Sequence, residues 1–287
     1  MTTWRFLWEE AAKWRRPGLD TLIHYVTSVC NAACEHCYFL DRLNAKTDLS
    51  RAETFRQIAR VGPLRALLVA GGEPFACRHL AEVLIAYHRL TGVGVAQIPT
   101  MGWHGERIRA VLERALSECP SLHLTVNVSL DGFEAFHDAN RKVPGLWRAA
   151  VGNLRMMLGL QARHPRLRVG VVSVMMPRTL GQLRPLAEFL RDAVGPDLHI
   201  LEVLRAADFG PYDRAEVEAL RDFWIGLTRE YYRRPRAGSR HLYRSWLAPW
   251  VARFAMGNLR VAFANFLDGQ AWPAPCQAGR RIAVLYP

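Results

Sequence analysis

The stretch Val26-Thr-Ser-Val-Cys30-Asn-Ala-Ala-Cys34-Glu-His-Cys37-Tyr-Phe39 decides how the chain is read. Three cysteines stand at C-x3-C-x2-C, directly after an apolar, β-rich run from Leu22 to Val29. Thiolates bind soft metals and iron–sulfur clusters. A cubic cluster has four irons, so three local thiolates leave one iron with an open position, and an open position is where a metal site does chemistry. Plainer readings stand beside this one. A disulfide framework needs an oxidising compartment and usually a small secreted chain. Here six cysteines are spread over 287 residues, and no charged–apolar–small cleavage pattern opens the sequence. A zinc knuckle needs a fourth ligand, and His36 between two cysteines reaches poorly. A redox pair Cys34–Cys37 leaves Cys30 unexplained. Structural cysteines on one helix face, from the 4+3 spacing, also remain open.

Outward from this loop the pattern alternates between strand and helix. Leu22–Val29 reads as a buried strand, followed by the capping box Ser50-Arg-Ala-Glu53 and a helix carrying Phe55, Ile58 and Ala59. Leu67–Ala70 is a second strand, and a helix marked by Leu80, Val83, Leu84, Tyr87 and Leu90 stops at Gly92. Strands over Val93–Thr100, Leu122–Leu130, Leu167–Met176 and Leu198–Leu204 follow. Helices marked by Ile108–Ala115, Trp147–Leu158 and Leu183–Val194 lie between them, and a long helix runs from about Arg214 to Arg234. Six β-α units in series predict an α/β fold with a parallel sheet and right-handed crossovers. Curled, this is a partial (β/α)6 TIM-type barrel whose chemistry gathers at the C-terminal strand ends. Residues 1–18 predict an amphipathic N-terminal helix (Trp4, Leu7, Trp8, Ala11, Trp14) stopped by Pro17-Gly18, packed on the body or lying at a membrane interface. The core is expected over 19–235, and a helical C-terminal extension over 236–287.

The predicted strand ends carry the polar signatures. The second strand ends in Gly71-Gly72-Glu73-Pro74: the glycines permit a tight turn and close backbone approach, Glu73 is an acceptor, and Pro74 fixes the exit. The third ends in Thr100-Met101-Gly102. The fourth ends in Ser129-Leu130-Asp131-Gly132, with His137-Asp138 and Arg141 beyond it. Ser129 and Asp131 have the chemistry for sugar hydroxyls, and Arg141 suits a carboxylate. The plainer alternative is a β-turn with a surface aspartate and an arginine on a solvated helix start. Cys77 and Cys119 read as small buried hydrophobes.

In these residues the chain resembles the radical S-adenosylmethionine (radical SAM) superfamily, by its C-x3-C-x2-C loop with a ring, here His36, before the last cysteine. The resemblance implies that Cys30, Cys34 and Cys37 hold a [4Fe–4S] cluster whose fourth iron takes the amino and carboxylate groups of SAM. It assigns His36 and Tyr38, Gly71, Gly72, Glu73 and Pro74, Ser129, Asp131 and Arg141 to cofactor binding. The Gly-Gly-Glu-Pro segment meets the SAM amino group, Ser129 and Asp131 the ribose, and Arg141 the carboxylate. Met101 departs from the family's usual Thr-Asn-Gly. The Ser-Leu-Asp-Gly…His-Asp…Arg run is similar to the peptide- and sulfatase-maturing branch. The implied activity is one-electron cleavage of SAM to a 5′-deoxyadenosyl radical that takes hydrogen from a peptide or protein side chain. The alternatives are a small metabolite, tetrapyrrole or sugar as substrate, or a non-catalytic iron–sulfur, SAM-binding or RNA-binding protein. A low-potential donor such as flavodoxin or ferredoxin is the implied partner.

The tail Pro275-Cys276-Gln-Ala-Gly-Arg280, followed by Ile282–Tyr286, resembles the beginning of a SPASM or twitch auxiliary-cluster domain. There a Cys-x-Ala-Gly segment leads into a hairpin and further cysteines. The chain therefore reads as one cut short there, with a lone edge strand, or as one in which Cys276 is only structural. Leu242–Phe266 reads as a bridging helix.

Composition bounds the rest. Half the residues are apolar, enough for a sizeable core, and the formal charge is +12 with only three lysines, Lys13, Lys46 and Lys142. The arginine bias fits a GC-rich genome. An anionic partner is the other reading, with Arg233, Arg234, Arg236 and Arg240 as the best candidate patch. No interleaved aromatic–basic strip argues for nucleic acid. No apolar run approaches about 18 residues, so no membrane span is expected. Unpaired cysteines and an oxygen-sensitive cluster point to the cytoplasm.

Overall fold

The computed structural model describes residues 19–46, 48–203, 212–233, 263, 267 and 281–286. The expected N-terminal helix, the arginine patch, the bridging segment and Cys276 lie outside these or rest on side chains outside them. Seven strands run parallel in one sheet: β1 (Thr21–Tyr25), β2 (Ala66–Ala70), β3 (Val95–Thr100), β4 (His123–Ser129), β5 (Leu167–Met175), β6 (Leu198–Val203) and β7 (Ile282–Leu285), in the order β6-β5-β4-β3-β2-β1-β7. The connecting helices are α1 (Arg51–Arg60), α2 (Leu80–Thr91), α3 (Gly105–Glu118), α4 (Glu134–Arg141), α5 (Leu146–Leu160) and α6 (Leu180–Phe189), with α7 (Arg214–Arg233) after β6. The order steps by one from β1 to β6, as successive β-α units require. β6 and β7 are the two edges, so the sheet is an open, partial barrel.

Local signals set the element ends. Ser50 accepts from the Glu53 backbone N–H while the Glu53 carboxylate accepts from Ser50 N at 2.9 Å, which is the expected capping box. Gly92 ends α2 in the left-handed region at φ 69°. Alternate residues of each strand, such as Leu67 and Val69, Ala96 and Ile98, or Leu124, Val126 and Val128, are buried in one core with Leu84 and Tyr87 of α2, Leu112 of α3 and Leu154 of α5. Such alternation is what helices covering one sheet face impose.

Three elements differ from expectation. β1 ends at Tyr25, four residues short of Val29, because the chain turns away to be bound by other partners: Val26 N donates to the Ala70 carbonyl at 3.0 Å and Ser28 N to Asp48 at 2.7 Å. The short helix α4 places Arg141 at its C-terminal end and buries it, where the plainer reading had a solvated helix start. The run Ile282–Leu285 is no lone strand. It pairs parallel with β1 from Thr21↔Ile282 to His24↔Leu285, and Arg281 reaches Asp20 at 2.7 Å.

Two histidines on the helix side of the sheet, buried His24 and half-buried His199, carry a pH signature. His24 Nδ1 meets the Tyr87 hydroxyl at 2.9 Å, and His199 Nε2 meets Ser173 Oγ at 2.8 Å. Burial lowers both to about 4. Between pH 6.5 and 4 the unfolded chain therefore binds protons that the fold does not, so this stability is complete above pH 6.5 and is lost as pH falls toward 4. Urea unfolding at pH 5 should show a lower midpoint than at pH 7, equivalent to an unfolding free energy smaller by about 2 kcal/mol for each fully effective histidine, and His24→Gln should flatten the dependence. Equal midpoints at both pH values would contradict this account.

Candidate active site

Because all strands are parallel, the segments that follow β1, β2, β3 and β4 lie on one rim. The loop after β1 is fastened there by its backbone. Gly72 N donates to the Thr27 carbonyl and Glu73 N to the Val29 carbonyl, each at 2.8 Å. Gly71 has φ +146°, and a Cβ on it would lie 2.5 Å from the Thr27 oxygen; one on Gly72 would collide with the carbonyls of Ser28 and Val29. The close approach expected of these glycines is thus made to the cysteine loop itself. Two residues not singled out from sequence complete the seat. Asn44, at φ 59°, accepts from Cys30 N and donates to the Cys30 carbonyl, both at 3.1 Å. Asp48 accepts from Thr27 Oγ1 at 2.5 Å and from Ser28 N. An asparagine in the left-handed region is the sequence-level trace of the first. Nothing local betrays the second.

Glu73 is almost completely buried, and its carboxylate is held by Thr100 Oγ1 and Met101 N at 2.8 Å and by Phe75 N at 3.1 Å. Burial raises its carboxyl, against these donors. Pro74 opens the short turn Pro74–Ala76. Glu73 therefore ties the end of β2 to the end of β3.

The three sulfurs share one apolar pocket. Cys34 packs with Ala32, Met101, Val143 and Leu146, and Cys30 and Cys37 close against the same group. Met101, the departure from the family pattern, is thus a wall of this pocket. Burial pushes the Cys30 thiol up to about 11 and raises Cys34 and Cys37, although Arg141 opposes the rise at Cys34. Among the described residues, no three His, Cys, Asp or Glu side chains are grouped to hold a single metal ion. One zinc draws its ligands to about 2.3 Å from a common centre. A cubic cluster instead takes each thiolate on a different iron and needs the sulfurs spread apart. Three thiols from one loop in apolar surroundings are a donor set that suits an iron–sulfur cluster.

Asp131, just beyond β4, is wholly buried. Its Oδ2 accepts from Arg141 Nε at 2.7 Å and Asn140 Nδ2 at 2.9 Å, and its Oδ1 from Val174 N at 3.0 Å. His36 Nε2 lies 4.0 Å from Oδ2. Burial would raise this carboxyl, but Arg141, with His36 and His137, brings it down to about 2. The guanidinium also directs Nη1 to Cys34 Sγ at 3.9 Å. Asp131 and Arg141, expected to contact ribose and carboxylate, are thus engaged first with each other and with a cluster-loop sulfur. His137 braces the turn by accepting from Asp131 N at 3.2 Å, and Asp138 accepts from Gly145 N and Trp147 N at the start of α5. Ser129 ends β4, half-buried, in register with Val172. Tyr38 is 67% exposed and meets Tyr25 edge-on at 6.5 Å, in an aromatic group with Phe39 and Tyr286. Glu35, inside the cysteine loop, is clamped by Arg178 at 2.7 Å and Lys142 at 3.4 Å.

Several solved proteins share this fold. Streptococcus suis SuiB bound to S-adenosylmethionine matches with a TM-score of 0.56 and 15% identity, over 83% of this chain and 53% of SuiB. SuiB bound to its precursor peptide SuiA matches with 0.62 and 14% identity, over 98% of this chain and 62% of SuiB. The anSMEcpe protein with bound AdoMet and the Cp18Cys peptide matches with 0.56 and 17% identity, over 76% of this chain and 60% of that one. Among curated proteins, pre-heme d1 synthase of Dinoroseobacter shibae is 26% identical over 198 residues, 68% of this chain and 46% of that protein. The chain spans about half the length of this curated relative. No protein-family model matches. The parallel α/β fold expected from the sequence is borne out by these structures.

The seat of the cysteine loop is directly testable. Gly72→Ala should destabilise the fold by about 1–3 kcal/mol, read as a lower denaturation midpoint, and should reduce the iron retained after anaerobic reconstitution. Gly62, with open space around its Cα, is the control: Gly62→Ala should do neither. Equal behaviour of the two variants would show that the backbone contact does not hold the loop.

Proposed function

We propose that the chain is a radical SAM enzyme. The observation that carries this reading is the gathering of Cys30, Cys34 and Cys37 in one apolar pocket on the C-terminal rim, with Gly71-Gly72-Glu73-Pro74 seated on the same loop. Cys30, Cys34 and Cys37 would hold a [4Fe–4S] cluster. When bound, that group supplies reductive cleavage of SAM, the hard step that a cofactor carries. The protein's own residues position and exclude. Met101, Val143 and Leu146 keep water from Cys34, and the Glu73 and Asp131 carboxylates lock the ends of β2 to β3 and of β4 to β5. Ser129 is the half-buried hydroxyl on this rim available to a ribose. His36, between two of the cysteines, stays neutral at pH 7, lowered to about 4 by burial and by Arg141, so it adds no charge to the pocket. Hydrogen abstraction from a peptide or protein side chain is the favoured reaction, supported by the SuiA-bound SuiB and peptide-bound anSMEcpe neighbours. A tetrapyrrole is the second reading, favoured by the pre-heme d1 synthase match. The five described cysteines are free, which agrees with a reducing cytoplasm and a low-potential donor such as flavodoxin or ferredoxin. No helix among the described residues is long and apolar enough to cross a membrane.

Cys34→Ala should abolish together the brown iron–sulfur chromophore and the release of 5′-deoxyadenosine from SAM under dithionite. Retained 5′-deoxyadenosine in that variant would reject the cluster assignment. A short precursor-peptide gene beside this one, with faster release on adding its product and not on adding an iron tetrapyrrole, would support the peptide reading; faster release with the tetrapyrrole alone would support the tetrapyrrole.

A further inference from the structure

We propose that the buried pair Asp131–Arg141 sets how readily a cluster on Cys30, Cys34 and Cys37 accepts an electron, Arg141 favouring reduction through Cys34 and Asp131 tempering it. This inference rests on the reading of the cysteine loop as a cluster site. Arg141 Nη1 stands 3.9 Å from Cys34 Sγ while Nε is fixed on Asp131 Oδ2 at 2.7 Å. Both charged side chains are buried, Asp131 completely, so water screens neither. A charge a few ångströms from a ligand sulfur in such surroundings is screened less than one in water. Hydrogen bonds to the sulfurs and net local charge are among the levers by which a protein tunes a cluster's potential.

The geometry also fixes the sign. One-electron reduction adds one negative charge to the cluster, so a neighbouring cation favours the reduced state and a neighbouring anion disfavours it. Three donors from two further elements hold Asp131: Asn140 and Arg141 from α4, and the backbone of Val174 in β5. With Arg141 replaced, Asn140 and Val174 still hold Asp131, and Asp131→Asn keeps an acceptor oxygen for the Arg141 guanidinium. Arg141 and Asp131 are positioning residues here, acting through the sulfur.

The test is a reductive titration with titanium(III) citrate, which gives one electron to the cluster and becomes titanium(IV). It is run without SAM on the anaerobically reconstituted full chain, read by electron paramagnetic resonance, with iron and sulfide measured in each sample. Arg141→Gln should make reduction at least tenfold less favourable, a potential about 59 mV more negative for one electron. Asp131→Asn should move the potential the opposite way, and Arg141→Lys should stay near the wild type. Asn140→Ala, which removes a partner of Asp131 without touching a charge, should shift it less than either charge removal. Shifts of the same sign in Arg141→Gln and Asp131→Asn, or unchanged potentials with falling iron content, would mean a purely structural pair and overturn the inference. Should Asp131→Asn hold no cluster, the Gln and Lys variants at 141 decide it between them. A wild-type chain that binds no iron and sulfide overturns the cluster reading, and this inference with it.

Discussion

Between Ala70 and Pro74 the chain offers two residues without side chains, and the backbone from Thr27 to Val29 lies directly on them. A Cβ at either glycine would enter a carbonyl oxygen of that loop, so the contact is steric as well as hydrogen-bonded. The cysteine loop leaves β1 early and could take many paths; resting on the turn after β2, it takes one. From that seat the connection passes through Glu73 to Thr100 and Met101 at the end of β3, and Met101 turns back onto Cys34. The sulfur pocket is therefore built from consecutive strand ends that hold one another.

A second arc reaches Cys34 from the other direction. A fully buried carboxylate is costly unless its oxygens are satisfied, and Asp131 is satisfied by α4 and β5 together. Arg141 needs a buried anion for the same reason. Their mutual requirement brings the end of β4, the short helix after it and the end of β5 to the cysteine loop. The arcs meet at one sulfur, which explains why Cys34 is the most enclosed of the three.

Much of this was legible along the chain because the signals are local. The capping box at Ser50, the stop at Gly92, the alternation in Leu124–Val128 and the cysteine spacing each depend on residues within a turn or two of one another. What escaped is non-local. That Asp131 is also bound by the backbone of Val174, forty-three positions on, has no local sign. Arg141 reads as the partner of a ligand carboxylate, and its place at the end of a helix against Cys34 cannot be read locally. Ile282–Leu285 reads as a strand without a mate because its mate, β1, lies about 260 residues earlier. Glycine pairs signal close approach but not to what, and here the answer was the protein's own loop.

The same geometry separates two kinds of charge that composition blends. The formal charge of +12 is mostly arginine, and many of these arginines make exposed pairs, such as Arg89 with Glu118 or Arg163 with Glu113. Salt screens such charges within about 8–10 Å, so their sum says little about the sulfur pocket. At the pocket the balance differs. His36 and His137 are neutral at pH 7, each lowered to about 4 by burial, and Glu35 is neutralised at the surface by Lys142 and Arg178. Among the described residues, the charges that act on Cys34 are one guanidinium, Arg141, and the carboxylate that holds it, Asp131. A chain can drift toward arginine over its whole surface without changing that pair, and the pair can be altered without changing the surface. Overall charge and the electrostatics of the pocket are thus independent properties of this sequence.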